Sequence, residues 1–303
     1  MAAMSTRQTP WRAYAALFVG LVILGFSPVL VRAAQAPGVV VGIYRVGIGA
    51  LVLTIPFIQQ LRSGVRIPRR MFWISALAGV FFGADVAAWT SGIVISGATI
   101  PTLLANTAPL WVGLGAWLIF KEQLTARFWL GLALAMLGAA LVLGLSLGGA
   151  ITLDQGALLG TLAGVFYGAY FLATQRARAE LPVIPFFWVA AVFSTLTMLV
   201  ILLVLGQSLT GYNSATYVNF LVQGVVIQAG GWLLINYAQG HLPASLISPT
   251  LLGQPVITAL LAGPVLGEVL RRSDLIGGAA VLAGILLVHT SRRQPKEKVL
   301  PPT

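Results

Sequence analysis

Apolar runs of about helix length follow one another along the whole chain, separated by short polar punctuation. One helix needs about 20 residues to cross about 30 Å of hydrocarbon. Ten runs of that kind are legible: Arg12–Arg32, Val39–Leu61, Met71–Ser91, Ala98–Phe120, Ala126–Leu145, Gln155–Gln175, Ile184–Gly206, Ala215–Tyr237, Ala244–Leu266 and Leu275–Ser291. They are the first to tenth segments, each expected to be helical. The connections are short and carry turn residues, as in Ala36-Pro37-Gly38, Leu147-Gly148-Gly149 and Gly211-Tyr212-Asn213. Lipid offers backbone N–H and C=O groups no partner, so helices are the natural way to satisfy them within each segment.

Composition agrees with this pattern. Of 303 residues 58% are hydrophobic and 8% charged, against about 25% charged in soluble domains; the expected partner is the lipid bilayer. The absence of cysteine removes disulfides, thiol nucleophiles and Cys-ligated metal. His241 and His289 leave little for a metal site, so no metal or cofactor is expected. A net charge of +11 would point to nucleic acid only if the basic residues shared one folded face. They lie between apolar runs instead, so no nucleic-acid partner is expected. Arg7 and Arg12 before an apolar stretch resemble a secretory signal, yet Ala13–Val31 exceeds the roughly 7 to 15 residues of a signal core, and retention as the first segment is expected.

With segments alternating sides and the N-terminus in the cytoplasm, 14 basic residues fall inside: Arg7, Arg12, Arg62, Arg66, Arg69, Arg70, Lys121, Arg127, Arg176, Arg178, Arg292, Arg293, Lys296 and Lys298. Arg32, Arg271 and Arg272 fall outside, and Arg45 lies within a segment. This bias predicts that both termini are cytoplasmic. A shift of 146 places Pro109, Glu122, Gly131 and Gly138 on Pro255, Glu268, Gly277 and Gly284. A repeat of five segments is odd-numbered, so its second copy enters the membrane from the opposite side. The expected fold is therefore all-α and integral to the membrane, with ten transmembrane helices built as two inverted five-helix repeats (12–145 and 155–291) around a central cavity, followed by a basic tail at 292–303. Inverted repeats are common in secondary transporters, with the substrate site between copies at the midplane.

Gly267-Glu268 followed by Ile276-Gly277 and Gly284, Gly42-Ile43-Tyr44-Arg45 in the second segment, and Ile95–Leu110 (ISGATIPTLLANTAPL) resemble the EamA-type ten-helix members of the drug/metabolite transporter superfamily. The first copy keeps Glu122, Gly131 and Gly138 but has Lys121 where glycine is usual. The resemblance spans both copies. It implies a secondary carrier of small organic metabolites, often an amino acid exporter of a bacterial inner (plasma) membrane, with segments one to four and six to nine lining the cavity and five and ten peripheral. YddG-type amino acid exporters are among the members it resembles.

Ionisable groups within a segment are costly and point to function; two stand out, Asp85 and Arg45. They lie nineteen residues after and twenty-one before the turn at Arg66, which in an antiparallel hairpin is a height difference of about 3 Å. An ion pair or shared polar network between them is expected. Three roles stay open: fixing helix packing, lining the cavity where the carboxylate takes a substrate ammonium or a coupling proton, or an Asp85 that merely faces a water-filled vestibule. Polar and aromatic residues at helical spacing supply further candidates for substrate contact: Phe82 and Trp89 on the third segment, Thr99, Thr102 and Asn106 on the fourth, Tyr167 on the sixth, Gln228, Trp232 and Asn236 on the eighth, and Ser248 and Gln254 on the ninth. Each could equally be interhelical glue. Pro28, Pro109 and Pro255 stand inside segments and are candidate hinges. Glu122 and Glu268 read as caps of the helices that follow.

An ATP-driven pump is disfavoured because no GxxxxGK[ST] loop occurs. An enzyme would need a base beside a nucleophile, and a channel would need rings of like groups; neither pattern is present. One carboxylate and one arginine amid aromatics suit a small zwitterion with an apolar side chain. Neutral and aromatic amino acids are the expected substrates and export the expected direction, carried by a monomer or homodimer, with nucleobases or amphipathic drugs as the alternative.

Overall fold

The structure, a computed structural model, describes residues 10–96, 99–144, 154–266 and 272–291. The Leu147-Gly148-Gly149 turn, Gly267-Glu268, Arg271, the tail 292–303 and the side chain of Thr99 lie outside the described residues. All regular elements among the described residues are helical. Eight helical stretches are long and apolar enough to cross a membrane, and two more, Ala126–Val142 and Ala244–Leu260, are apolar but shorter. The second, third, sixth, seventh and tenth segments are unbroken helices, Gly38–Arg62, Arg69–Ser96, Gln155–Arg178, Val183–Leu205 and Arg272–Thr290. The fifth is the unbroken Ala126–Val142, 17 residues long, which rises about 25 Å.

The other four segments are interrupted, three of them beside the prolines expected to kink them. The first breaks at Phe26 into Pro10–Gly25 and Ser27–Ala33, and the fourth into Thr99–Ala105 and Ala108–Ile119. The ninth passes from Ala244–Thr250 through a 3-10 turn, Leu251–Gly253, into Gln254–Leu266. In all three the proline lies in the first turn of the second piece: Pro28, Pro109 and Pro255. That is where a missing N–H is harmless, while the ring blocks continuation of the preceding turn. The eighth segment breaks differently. Between Ser214–Val222 and Leu233–Gln239 it winds as a π-helix over Gln223–Trp232, a stretch with three glycines and no proline.

Carbonyls at the breaks and ends are taken up by neighbouring segments. Thr258 Oγ1 donates to Gly25 O at 2.8 Å, binding the ninth segment to the break in the first. Thr216 Oγ1 and Asn219 Nδ2 on the eighth donate to Ala34 O at 2.9 Å and Leu30 O at 3.0 Å, at the end of the first.

Two apolar cores result. The larger draws on segments one to four and six to nine, with Leu17, Val40, Phe82, Val112, Phe171, Phe186, Ile227 and Ile247 all buried. The smaller joins Phe128, Leu132, Ala135 and Ala139 of the fifth helix to Val281 and Val288 of the tenth, with Leu246 and Leu252 of the ninth. The fifth and tenth helices meet backbone to backbone at their glycines. A Cβ on Gly138 would stand 2.5 Å from Gly277 O, and one on Gly284 2.5 Å from Gly131 O. Those distances are shorter than real carbon contacts allow, so only glycine permits the approach. The outward faces are apolar, with Leu203, Val204, Leu130 and Leu286 exposed, and Trp11 and Trp73 exposed toward the helix ends, where Trp anchors at membrane surfaces.

Gly138→Val should therefore force the fifth and tenth helices apart at a cost of about 1 to 3 kcal/mol, read as a lower melting temperature of the detergent-solubilised protein. Gly47→Ala, whose Cβ would meet Thr195 only at an ordinary 3.5 Å, should change it little.

Candidate functional site

The third, sixth and eighth segments bring together an aromatic cluster that includes Phe82, one turn before Asp85 on the third helix. Phe82 lies 4.9 Å from both Tyr170 and Trp232 between ring centroids. Tyr167 lies 6.0 Å from Trp232 and 4.9 Å from Phe171. Phe82, Tyr170, Phe171 and Trp232 are buried, and Tyr167 is half-buried. Close backbones make this possible: a Cβ on Gly83 would stand 2.7 Å from Ser194 O of the seventh helix, and one on Gly168 2.7 Å from the Trp111 Cβ.

Asp85 is buried and has no hydrogen-bond donor among the described residues. It lies within electrostatic range of Arg45 and of Tyr167. The expected contact pair is not closed, since no Arg45 nitrogen comes within 4.0 Å of the carboxylate. Arg45 instead donates from Nη1 to Ser27 Oγ of the broken first segment at 3.4 Å, and its Nε is buried without a partner. The helical-hairpin estimate placed the two at similar height, as the electrostatic coupling reflects. It had no information on side-chain direction, which a hydroxyl on a third segment decides.

The remaining candidates divide into groups. Asn106, Tyr167, Ser248 and Gln254 line one small cavity with Ala108, Pro109, Leu251 and Leu252, between the breaks of the fourth and ninth segments. Its volume of about 20 Å³ holds about one water, so the protein is closed around this point. Trp89 Nε1 donates to Thr102 Oγ1 at 3.0 Å, joining the third segment to the fourth. Asn106 Nδ2 donates to Thr102 O at 2.8 Å, occupying a carbonyl at the break. Asn236 is fully buried and accepts from Tyr170 OH at 3.0 Å, so it holds the floor of the aromatic cluster. Gln228, Trp232 and Asn236 were grouped on one α-helical face. The π winding rotates that register: Gln228 lies against Gly49 of the second helix while Trp232 joins the cluster with Phe82 and Tyr170. Tyr170, which with Tyr167 and Thr174 punctuates the sixth segment with polar groups, and Phe171, which the sequence does not single out, both belong to the cluster.

Glu122 departs from the cap expected of it. Thr125 caps the fifth helix, accepting from Phe128 N. The Glu122 carboxylate instead accepts from Ser245 Oγ at 2.6 Å and Gln175 Nε2 at 3.2 Å, and Gln175 Oε1 accepts from Ala244 N at 2.6 Å. One carboxylate thus clasps the turn after the fourth segment to the end of the sixth and the start of the ninth. Lys121, immediately before it, has φ 55°, the left-handed region that favours glycine.

The apolar helical bundle, with four interrupted helices and a buried charge near aromatics, is that of a multi-pass membrane protein. The profile of the EamA-like transporter family matches residues 11–144 and again 154–290, and the chain belongs to that family. Similar proteins include an uncharacterized transporter of Synechocystis sp., 28% identical over 66% of this chain and 63% of its own length. The chain thus matches less than two thirds of that relative. YvbV, an uncharacterized transporter of Bacillus subtilis, is 26% identical over 96% of each chain. One of Archaeoglobus fulgidus is 24% identical over 90% of this chain and 94% of its own. A crystal structure 17% identical aligns over 92% of this chain and 96% of its own with a TM-score of 0.77, a likeness of fold. The family and these relatives are transporters and not enzymes.

Lys121→Gly should relieve the left-handed backbone and raise stability by about 1 kcal/mol, read as a higher melting temperature. A fall would mean that the lysine side chain has a contact outweighing its backbone preference.

Proposed function

We propose that the protein is a secondary transporter that exports neutral and aromatic amino acids across an inner (plasma) membrane by alternating access, in the manner of YddG-type members of the family. The observation carrying this reading is the buried Asp85, without a hydrogen-bond donor among the described residues, in electrostatic range of Arg45 and of Tyr167 in the aromatic cluster. An ammonium fits the carboxylate, a carboxylate fits the guanidinium, and an apolar or aromatic side chain fits against Phe82, Tyr167 and Trp232. The cavity beside Tyr167 has a volume of about 20 Å³, too small for an amino acid, so binding there requires the walls to part, and the breaks at Pro28, Pro109 and Pro255 are the natural hinges.

Alternating access by two inverted repeats has its own support. Gly131 meets Gly284 and Gly138 meets Gly277, an antiparallel and reciprocal pairing of positions that the 146-residue shift relates. Reciprocal contact is the mark of a twofold axis, here lying across antiparallel helices. The packing partners also exchange as such an axis requires: third with sixth and eighth with first, second with eighth and seventh with third. With the distribution of basic residues, this supports a reading in which both termini are cytoplasmic.

Proteoliposomes supply the test. Labelled phenylalanine or leucine should enter with saturable kinetics and show counterflow, and Asp85→Asn should reduce that flux about tenfold or more, as loss of a charge-assisted contact implies. Saturable flux of nucleosides or cationic dyes without amino acid flux would refute the substrate assignment, and non-saturating flux would indicate a channel. Topology is open to a separate check because the chain has no cysteine. Ser208→Cys should react with an impermeant maleimide on intact cells, and Ser63→Cys only after permeabilisation.

A further inference from the structure

We propose that Arg45 and Gln228 form a carboxylate-binding niche between the second and eighth segments, so that the transported solutes are carboxylic acids. The niche deepens the reading of the central site given above and rests on it for where the ligand lies.

Gln228 is fully buried, and neither its amide nitrogen nor its amide oxygen has a hydrogen-bond partner. Buried polar groups are nearly always paired, so a side chain with both ends unpaired demands an explanation. Gln228 occupies the π-helix at the level of Gly49: a Cβ on Gly49 would stand 2.6 Å from the Gln228 Cγ. Gly49 lies one turn beyond Arg45, on the same face of the second helix. The Cβ of the neighbouring Gly224 would meet Ile48 at 2.5 Å and Arg45 O at 3.4 Å, so the two helices run in register there. Helical side chains lean toward the N-terminus, which carries the Gln228 amide back toward the level of Arg45.

The groups left over on this face are complementary to one ligand chemistry. Arg45 Nη1 is oriented by Ser27 while its Nε is buried and unpaired, and a guanidinium edge of that kind matches a carboxylate. Gln228 Nε2 is a second donor. Gln228 Oε1 and Gln223 Oε1 are buried acceptors without partners, Gln223 Nε2 being engaged by Asn219 at 2.6 Å. Donors beside a fixed positive charge receive the carboxylate, and the acceptors remain for N–H groups of the same molecule. A hydrocarbon amine or cationic dye has nothing to offer the guanidinium.

Gln228→Leu separates this role from a structural one. Replacing an unpaired buried amide by an apolar side chain of similar size should raise the melting temperature of the unliganded full-length protein in detergent, by about 2 to 4 °C. The same variant should weaken thermal stabilisation by phenylacetate, a carboxylate without an amine, about tenfold in midpoint concentration, and leave any response to phenethylamine unchanged. Arg45→Lys, which keeps the charge and loses the fork, should weaken phenylacetate to a similar degree. A Gln228→Leu protein less stable than wild type, an unchanged phenylacetate midpoint, or a wild type that ignores phenylacetate would overturn the niche. Phenylacetate binding that depends on Gln228, without amino acid flux in proteoliposomes, would leave the niche standing and remove amino acids as the substrate.

Discussion

Backbone polar groups in a membrane must find partners within the protein, and the architecture follows from how each broken helix meets that demand. Interrupting a helix frees N–H and C=O groups where no water can take them. Proline removes part of the problem by having no N–H, and neighbouring hydroxyls and amides remove part of the rest. Thr258 on Gly25, Thr216 on Ala34 and Asn219 on Leu30 all reach from the second half of the chain into the first. The break at Gly25 and the end of the first segment are thus places where the halves are bonded to one another.

This arrangement separates a rigid part from a deformable one. The fifth and tenth helices are unbroken and meet at glycines with no room for a side chain. Their small core stands apart from the large one. The four irregular segments all contribute to the large core, beside the buried charges. A helix break offers a change of direction with few hydrogen bonds to give up, whereas a glycine seam packed backbone to backbone offers none without separation. In the proposed transport cycle motion is therefore assigned to the first, fourth, eighth and ninth segments.

The sequence carried the number and order of the segments because hydrophobic length is a direct physical requirement of the bilayer. It carried the glycine pairs and the three prolines as well, since both act through the backbone and hardly depend on what surrounds them. The π stretch at Gln223–Trp232 was not legible: its glycines are compatible with an α-helix, and the winding depends on packing against Ile48 and Ile23. For the same reason Gln228 and Trp232, four residues apart, face different neighbours. The roles of Asn236 and Glu122 also escaped, because their partners Tyr170, Gln175 and Ser245 come from distant parts of the chain and spacing cannot report them.

The clasp around Glu122 carries a consequence for how the molecule changes shape. Lys121 is held in a conformation that it would leave if released, and Glu122 is held by donors from two other segments at once. Neither condition survives alone: losing the donors frees the turn, and a relaxed turn withdraws the carboxylate from the donors. Gln175 adds a third dependence, since one amide bridges the carboxylate and the Ala244 N–H. The three bonds are therefore coupled, and weakening one loosens the hold of the others on the start of the ninth segment.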